Sequence, residues 1–100
     1  MRQPEIRRAV RVVLGVAEPA IARELRDLGA EVVVVDGTDP AALVSAAVQE
    51  DADVIGATGP AEAITGLLAD NGAAEVAVVD VLRIAAWVVD TAGERAHHRS

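Results

Sequence analysis

Apolar positions along this chain fall into two kinds of block. Short, β-branched runs stand at Val10–Leu14, Glu31–Val35, Asp53–Ala57 and Glu75–Val79. Between them, apolar residues recur every three or four positions, the spacing of one helical face. The first run stops at Gly15, and Pro19 stands where a helix can begin, because a first turn leaves that N–H unpaired anyway. Ile21, Leu25 and Leu28 then fall at i, i+4 and i+7, and Gly29 supplies a C-terminal cap. The valines of Glu31–Val35 form a run of the kind buried on both faces of a parallel sheet. Asp39 and Pro40 read as N-cap and first turn of a second helix, with Leu43, Val44, Ala47 and Val48 as its inward stripe. Thr58-Gly59-Pro60 turns into a third helix with Ile64, Leu67 and Leu68 inward, ended by Asn71-Gly72.

Strand and helix alternating in this way predict an α/β fold, a parallel sheet covered on both faces. Crossovers in such units are right-handed, and the expected strand order is 2-1-3-4. That is a flavodoxin-like or Rossmann-like three-layer sandwich, here with a shortened C-terminus, and its crevice lies between the first and third strands. Past the fourth strand, Val81, Leu82, Ile84, Ala85, Val88, Val89 and Ala92 fit one helical face. Arg83, Trp87 and Asp90 then fall opposite. A strand over Ala86–Asp90 is the competing reading, and the helix is the better fit. The pattern predicts one domain over residues 1–100, with 1–8 and 94–100 frayed.

Composition narrows the function classes. The chain has 100 residues, a formal net charge of −7 and no cysteine. The acidic balance argues against nucleic acid, whose partners need positive surface to displace counterions. The local basic cluster Arg2, Arg7, Arg8 and Arg11 reads as a solvated lead-in to the first strand. All nine basic residues are Arg, which with the Ala and Val excess reads as the codon bias of a GC-rich genome. Without cysteine there is no disulfide framework, thiolate nucleophile or Cys-based metal site, which fits a reducing cytoplasm. Apolar runs such as Val32–Val35 are too short to span a bilayer, and no apolar stretch directly follows the N-terminal arginines as in a secretory leader. Trp87 is the sole aromatic residue, so aliphatic side chains must build nearly all of the core.

Two segments carry a family resemblance. Ala46-Ala47-Val48-Gln49-Glu50-Asp51-Ala52-Asp53-Val54-Ile55-Gly56 resembles, nearly residue for residue, the second helix and third strand of the cobalamin-binding domain of methylmalonyl-CoA mutases. Ile21-Ala22-Arg23-Glu24-Leu25-Arg26-Asp27-Leu28-Gly29-Ala30-Glu31-Val32-Val33 is similar to that family's first helix and second strand. The resemblance spans roughly residues 10 to 80 and implies shared fold and ancestry.

The family's cofactor chemistry sits in three short motifs, and this chain departs from each. After the first strand the family carries Asp-x-His-x-x-Gly, whose His ligates cobalt while the Asp orients it. The matching loop here is Gly15-Val16-Ala17-Glu18-Pro19, with neither His nor Asp. After the third strand the family has Ser-x-Leu against the nucleotide tail; here stand Ala57-Thr58-Gly59, and Thr58 could replace one hydroxyl. After the fourth strand a Gly-Gly pair lets the tail pass; here stand Val79-Asp80, whose side chains obstruct it and whose carboxylate repels its phosphate. No cofactor is therefore expected, and cobalamin enters by resemblance alone.

Other constellations are weaker. His97 and His98 are adjacent, share no helical face and have no rigid partner ligand, so no metal site is expected. Gly15 and Asp36 have the outline of a dinucleotide-binding unit, but two of its three glycines are missing and Glu18 and Pro19 stand where a phosphate would approach. Glu18, Asp36 and Asp80 at three strand ends suggest an acidic receiver pocket, yet the third strand ends in Gly56-Ala57 and the chain has no Lys.

The leading expectation is a non-catalytic, cobalamin-domain-like protein that binds a protein partner or a small ligand. The alternatives are a cobalamin-carrying small subunit of a mutase-like isomerase or methyl-transfer system, and a Rossmann-like nucleotide binder. A ligand is expected against Gly15, Val16, Ala17, Thr58, Gly59 and Asp36. A homodimer or protein contact is expected through the C-terminal segment, with Trp87, Arg83 and Asp90 at the interface. An uncovered fourth-strand edge adds to that expectation.

Overall fold

The computed structural model describes residues 9–15, 18–37, 39–59 and 61–98, with 95–98 as backbone. Strand and helix alternate throughout: β1 Arg11–Leu14, α1 Pro19–Asp27, β2 Glu31–Val34, α2 Pro40–Glu50, β3 Val54–Ala57, α3 Glu62–Asp70, β4 Ala77–Asp80 and α4 Ile84–His98. Every strand pair is parallel and the order is β2-β1-β3-β4, as the pattern of runs and helices predicts. Among the described residues no fifth strand follows β4, so the sheet has β2 and β4 as its edges.

The pleat sorts the strand side chains into two cores. Val13 and Ile55 face Leu43, Val44 and Ala47 of α2 and Ile64 and Leu68 of α3. Val12, Leu14 and Val54 face Ala22 and Leu25 of α1 and Ile84 and Val88 of α4. Leu14, Leu25, Leu43, Ile55 and Ile84 are fully buried, each worth roughly 1.5–3 kcal/mol over an exposed position. With one aromatic ring in the chain, the stability of both layers rests on these aliphatic contacts.

Three helices stop in the same way. Ala30 N–H reaches back to Leu25 C=O at 3.0 Å, Ala52 to Ala47 at 2.9 Å and Ala73 to Leu68 at 2.8 Å. Such a closure needs a left-handed residue just before it. Gly29 and Gly72 fill that role at φ 94° and 72°, and Asp51 fills it after α2 at φ 54°.

Several details differ from the sequence expectation. β2 is not buried on both faces: at the sheet edge its valines are half-buried or exposed, Val34 among the latter. Leu28 is the C-cap residue, one past the end of α1, and is exposed. Val48 is 48% exposed, because Val44 and Ala47 already fill the sheet-facing side of α2. β4 begins at Ala77, since Val76 N–H turns back to Ala73 C=O at 3.1 Å.

The C-terminal segment is a helix, not a strand, and it runs on through Gly93 to His98, past the point where composition predicts fraying. Residues 1–8, 99 and 100 lie outside the described residues. The predicted seven-residue apolar face spans about 160° of the helix, more than one sheet layer covers. Val81, Ile84 and Val88 are buried, whereas Leu82 is 87% and Val89 51% exposed.

Candidate functional site

Most of the predicted ligand residues lie at one end of the sheet, where the strands have their carboxyl ends. Gly15 N–H donates to Gly56 C=O at 2.8 Å, and Val35 N–H donates to Leu14 C=O at 2.9 Å. Gly15 therefore sits between the exits of β2 and β3. Thr58 and Gly59 follow β3 directly and are exposed, with Gly59 left-handed at φ 86°. Asp36 is exposed just beyond β2. Val16 and Ala17 lie outside the described residues.

Gly15 does not serve as an open floor for a ligand. It is buried, and a β-carbon there would stand 2.7 Å from Leu43 Cδ2. The glycine lets α2 close over the end of β1. Leu43 reads from sequence only as a core residue of α2, and its contact with Gly15 appears only in the assembled fold.

Glu18 is the exposed N-cap of α1 and makes no side-chain cap bond, while Pro19 occupies the first turn. An acidic residue and a proline without an N–H thus occupy the N-terminus of this helix. Asp39 caps α2, its Oδ1 accepting from Ala41 N–H at 3.3 Å. Asp80 pairs in register with Ala57 and closes β4. Its Oδ1 accepts from Leu82 N–H at 2.8 Å, and Val81 N–H donates to Ala57 C=O at 3.1 Å. Asp80 is therefore a fixed, exposed negative charge at the exit of β4. Among the described residues no three His, Cys, Asp or Glu side chains, Glu18, Asp36 and Asp80 included, are grouped so as to hold a metal ion.

The predicted interface residues separate along α4. Arg83 is exposed at the helix start, next to the exit of β4, with its N–H on Asp80 C=O at 2.9 Å. Trp87 and Asp90 lie toward the opposite end of the sheet. There they line a shallow cavity of about 490 Å³ with Asp53, Glu75 and Glu94. Trp87 is half-buried and packs against the α1/α4 core, so it does not stand clear of its own domain. A second groove of about 430 Å³ runs between α2 and α3, beside Val48 and Leu67.

Among the described residues no helix is long and apolar enough to cross a membrane. No family model matches the chain, and no curated protein matches its sequence.

Proposed function

We propose that this chain is a non-catalytic, cobalamin-domain-like binding protein that does not ligate cobalt through a protein imidazole. The observation that carries the reading is Asp80. Its carboxylate is exposed and held on Leu82 N–H at 2.8 Å, at the position where the resemblance implies a glycine pair and a passing nucleotide tail. A fixed anion repels a phosphate there.

Two further features support the reading. The backbone after β1 offers a buried Gly15 under Leu43 where the resemblance implies a histidine loop. Glu18 and Pro19 take the helix N-terminus that would otherwise receive a phosphate, which disfavours a Rossmann-like nucleotide site as well. The groups that would hold cobalamin by the family's chemistry do not fit these residues. The chain then acts by binding, either a protein through its C-terminal helix or a small ligand beside Thr58 and Gly59. The net charge of −7 disfavours nucleic acid, and the cysteine-free composition suits a cytoplasmic setting.

The test is incubation with hydroxocobalamin, desalting and an absorbance spectrum, alongside thermal shifts with nucleotides. We expect the chromophore to wash out and nucleotides to leave the melting temperature unchanged. Retention of a histidine-coordinated spectrum would overturn the reading. Retention without imidazole coordination would favour a cobalamin-carrying subunit.

A further inference from the structure

We infer that the outer face of α4 is a self-complementary surface that pairs antiparallel with α4 of a second copy of this chain. The inference rests on reading the chain as a binding protein, and its test is independent of any cobalamin or nucleotide result.

The face is apolar and uncovered. Leu82 at the helix entry and Val89 are 87% and 51% exposed, the two largest exposures of any large apolar side chain described. Ala86 and Gly93 are exposed as well. At 3.6 residues per turn, positions 86, 89 and 93 stay within about 60° of one another, and Leu82 stands on the turn that leads into the helix. They form a narrow seam pointing away from the buried Ile84 and Val88. Trp87 N–H donates to Arg83 C=O at 3.0 Å, so helical geometry reaches back to Arg83.

The charges beside this seam select the partner and its direction. Arg83 and Asp90 are exposed, opposite in sign and seven residues apart. That spacing puts them on the same flank, within about 20°. Around a twofold axis perpendicular to two antiparallel helices, like flanks meet. With the axis between positions 86 and 87, Arg83 of one copy lies across from Asp90 of the other, and the reciprocal pair forms by symmetry. A parallel pair would set that flank against the opposite flank of the second copy and lose both contacts.

The apolar residues interlock in the same register. Leu82 of one copy falls axially between Val89 and Gly93 of the other, and Gly93 leaves the space that Leu82 fills. Ala86 meets its own copy at the axis, where a small side chain lets the helices approach closely. One register thus satisfies both the steric and the charge pattern.

The experiment is sedimentation equilibrium on the full chain and on variants at solvent-exposed positions, with circular dichroism to verify folding. The wild type is expected to dimerise below about 1 mM, and Val89→Glu to be monomeric and folded over the same range. Arg83→Asp and Asp90→Arg, each acting twice in a symmetric dimer, should each weaken association roughly tenfold. The double reversal Arg83→Asp with Asp90→Arg should return association to near the wild-type value. A monomeric wild type, a dimer unaffected by Val89→Glu, or a double reversal no tighter than the singles would each overturn the inference. If Val89→Glu fails to fold, the charge-reversal series alone decides.

Discussion

Leu43 Cδ2 occupies the space that a side chain at residue 15 would need, 2.7 Å from a β-carbon built on Gly15. Gly15 is not among the left-handed glycines, so the requirement is room rather than backbone freedom. Leu43 is fully buried and has little space to retreat. Gly15→Ala should therefore destabilise the domain by about 1–3 kcal/mol through overpacking. In a Leu43→Ala background the same change should cost much less, a coupling that urea unfolding of the four-member cycle measures. A wild-type midpoint for Gly15→Ala would show that Leu43 yields freely and that the end of β1 is open to a ligand after all.

Asp51 is the non-glycine residue with positive φ among those described, at φ 54°. A β-carbon costs roughly 1–2 kcal/mol in that region. Asp51→Gly should accordingly be more stable than Asp51→Ala by about 1 kcal/mol, whatever contacts the carboxylate itself makes. Thermal unfolding of the two variants side by side reads this difference directly. Equal melting temperatures would mean that the turn after α2 relaxes out of the left-handed form.

Two carboxylates at the amino end of the sheet should differ in worth. Asp53 Oδ2 accepts Arg11 N–H at 2.8 Å in a half-buried setting. Glu31 Oε1 accepts Arg11 Nε at 3.0 Å, with the Glu31 side chain 60% exposed. Removing Asp53 leaves a strand N–H without this acceptor, so Asp53→Ala should cost about 1–3 kcal/mol. Glu31→Gln gives up a solvated ion pair and should cost less than about 1 kcal/mol, an effect that added salt further reduces. Denaturation midpoints at low and high salt check both, and the order of the two variants is the discriminating result.

The fold was legible because run length and period are local signals. Val10–Leu14 and Asp53–Ala57 announce strands that the expected order 2-1-3-4 makes central, and Ile64 with Leu68 announces the inward face of α3. What was not legible depends on which neighbour arrives. The valines of β2 look like those of a strand buried on both faces, although the order 2-1-3-4 expected from the same alternation already places that strand at an edge, where its valines are half-buried or exposed. Val48 continues the stripe of α2 by spacing, yet Val44 and Ala47 fill the sheet-facing side and Val48 is left 48% exposed at the groove between α2 and α3. Val48→Gln should therefore shift stability by no more than about 0.5 kcal/mol. At the crevice, Gly15, Asp36, Thr58 and Gly59 are legible at the carboxyl end of the sheet, since each follows a strand. It could not show Leu43 over Gly15, because that contact joins β1 to α2 across nearly thirty positions of chain.

Trp87 separates two accounts of the C-terminal helix. By helical spacing it lies opposite the apolar stripe, which suggests an exposed interface anchor. In the fold it is half-buried against the core that includes Val54 and Ile84, while Leu82 and Val89 carry the exposed apolar surface. The reason is geometric. Position 87 sits at the border of the buried side of α4, and its large ring leans back over the sheet from there. Trp87→Ala should then lower the stability of the monomer by about 1–3 kcal/mol, a partial version of the cost at a fully buried aromatic site. Trp87→Phe should recover most of that. Because the chain has a single tryptophan, its emission should red-shift on unfolding and report the transition in the parent protein. Chemical denaturation followed by circular dichroism, at concentrations where the chain is monomeric, decides between the accounts. An unchanged midpoint for Trp87→Ala, together with lost self-association, would return Trp87 to the interface and remove it from the core.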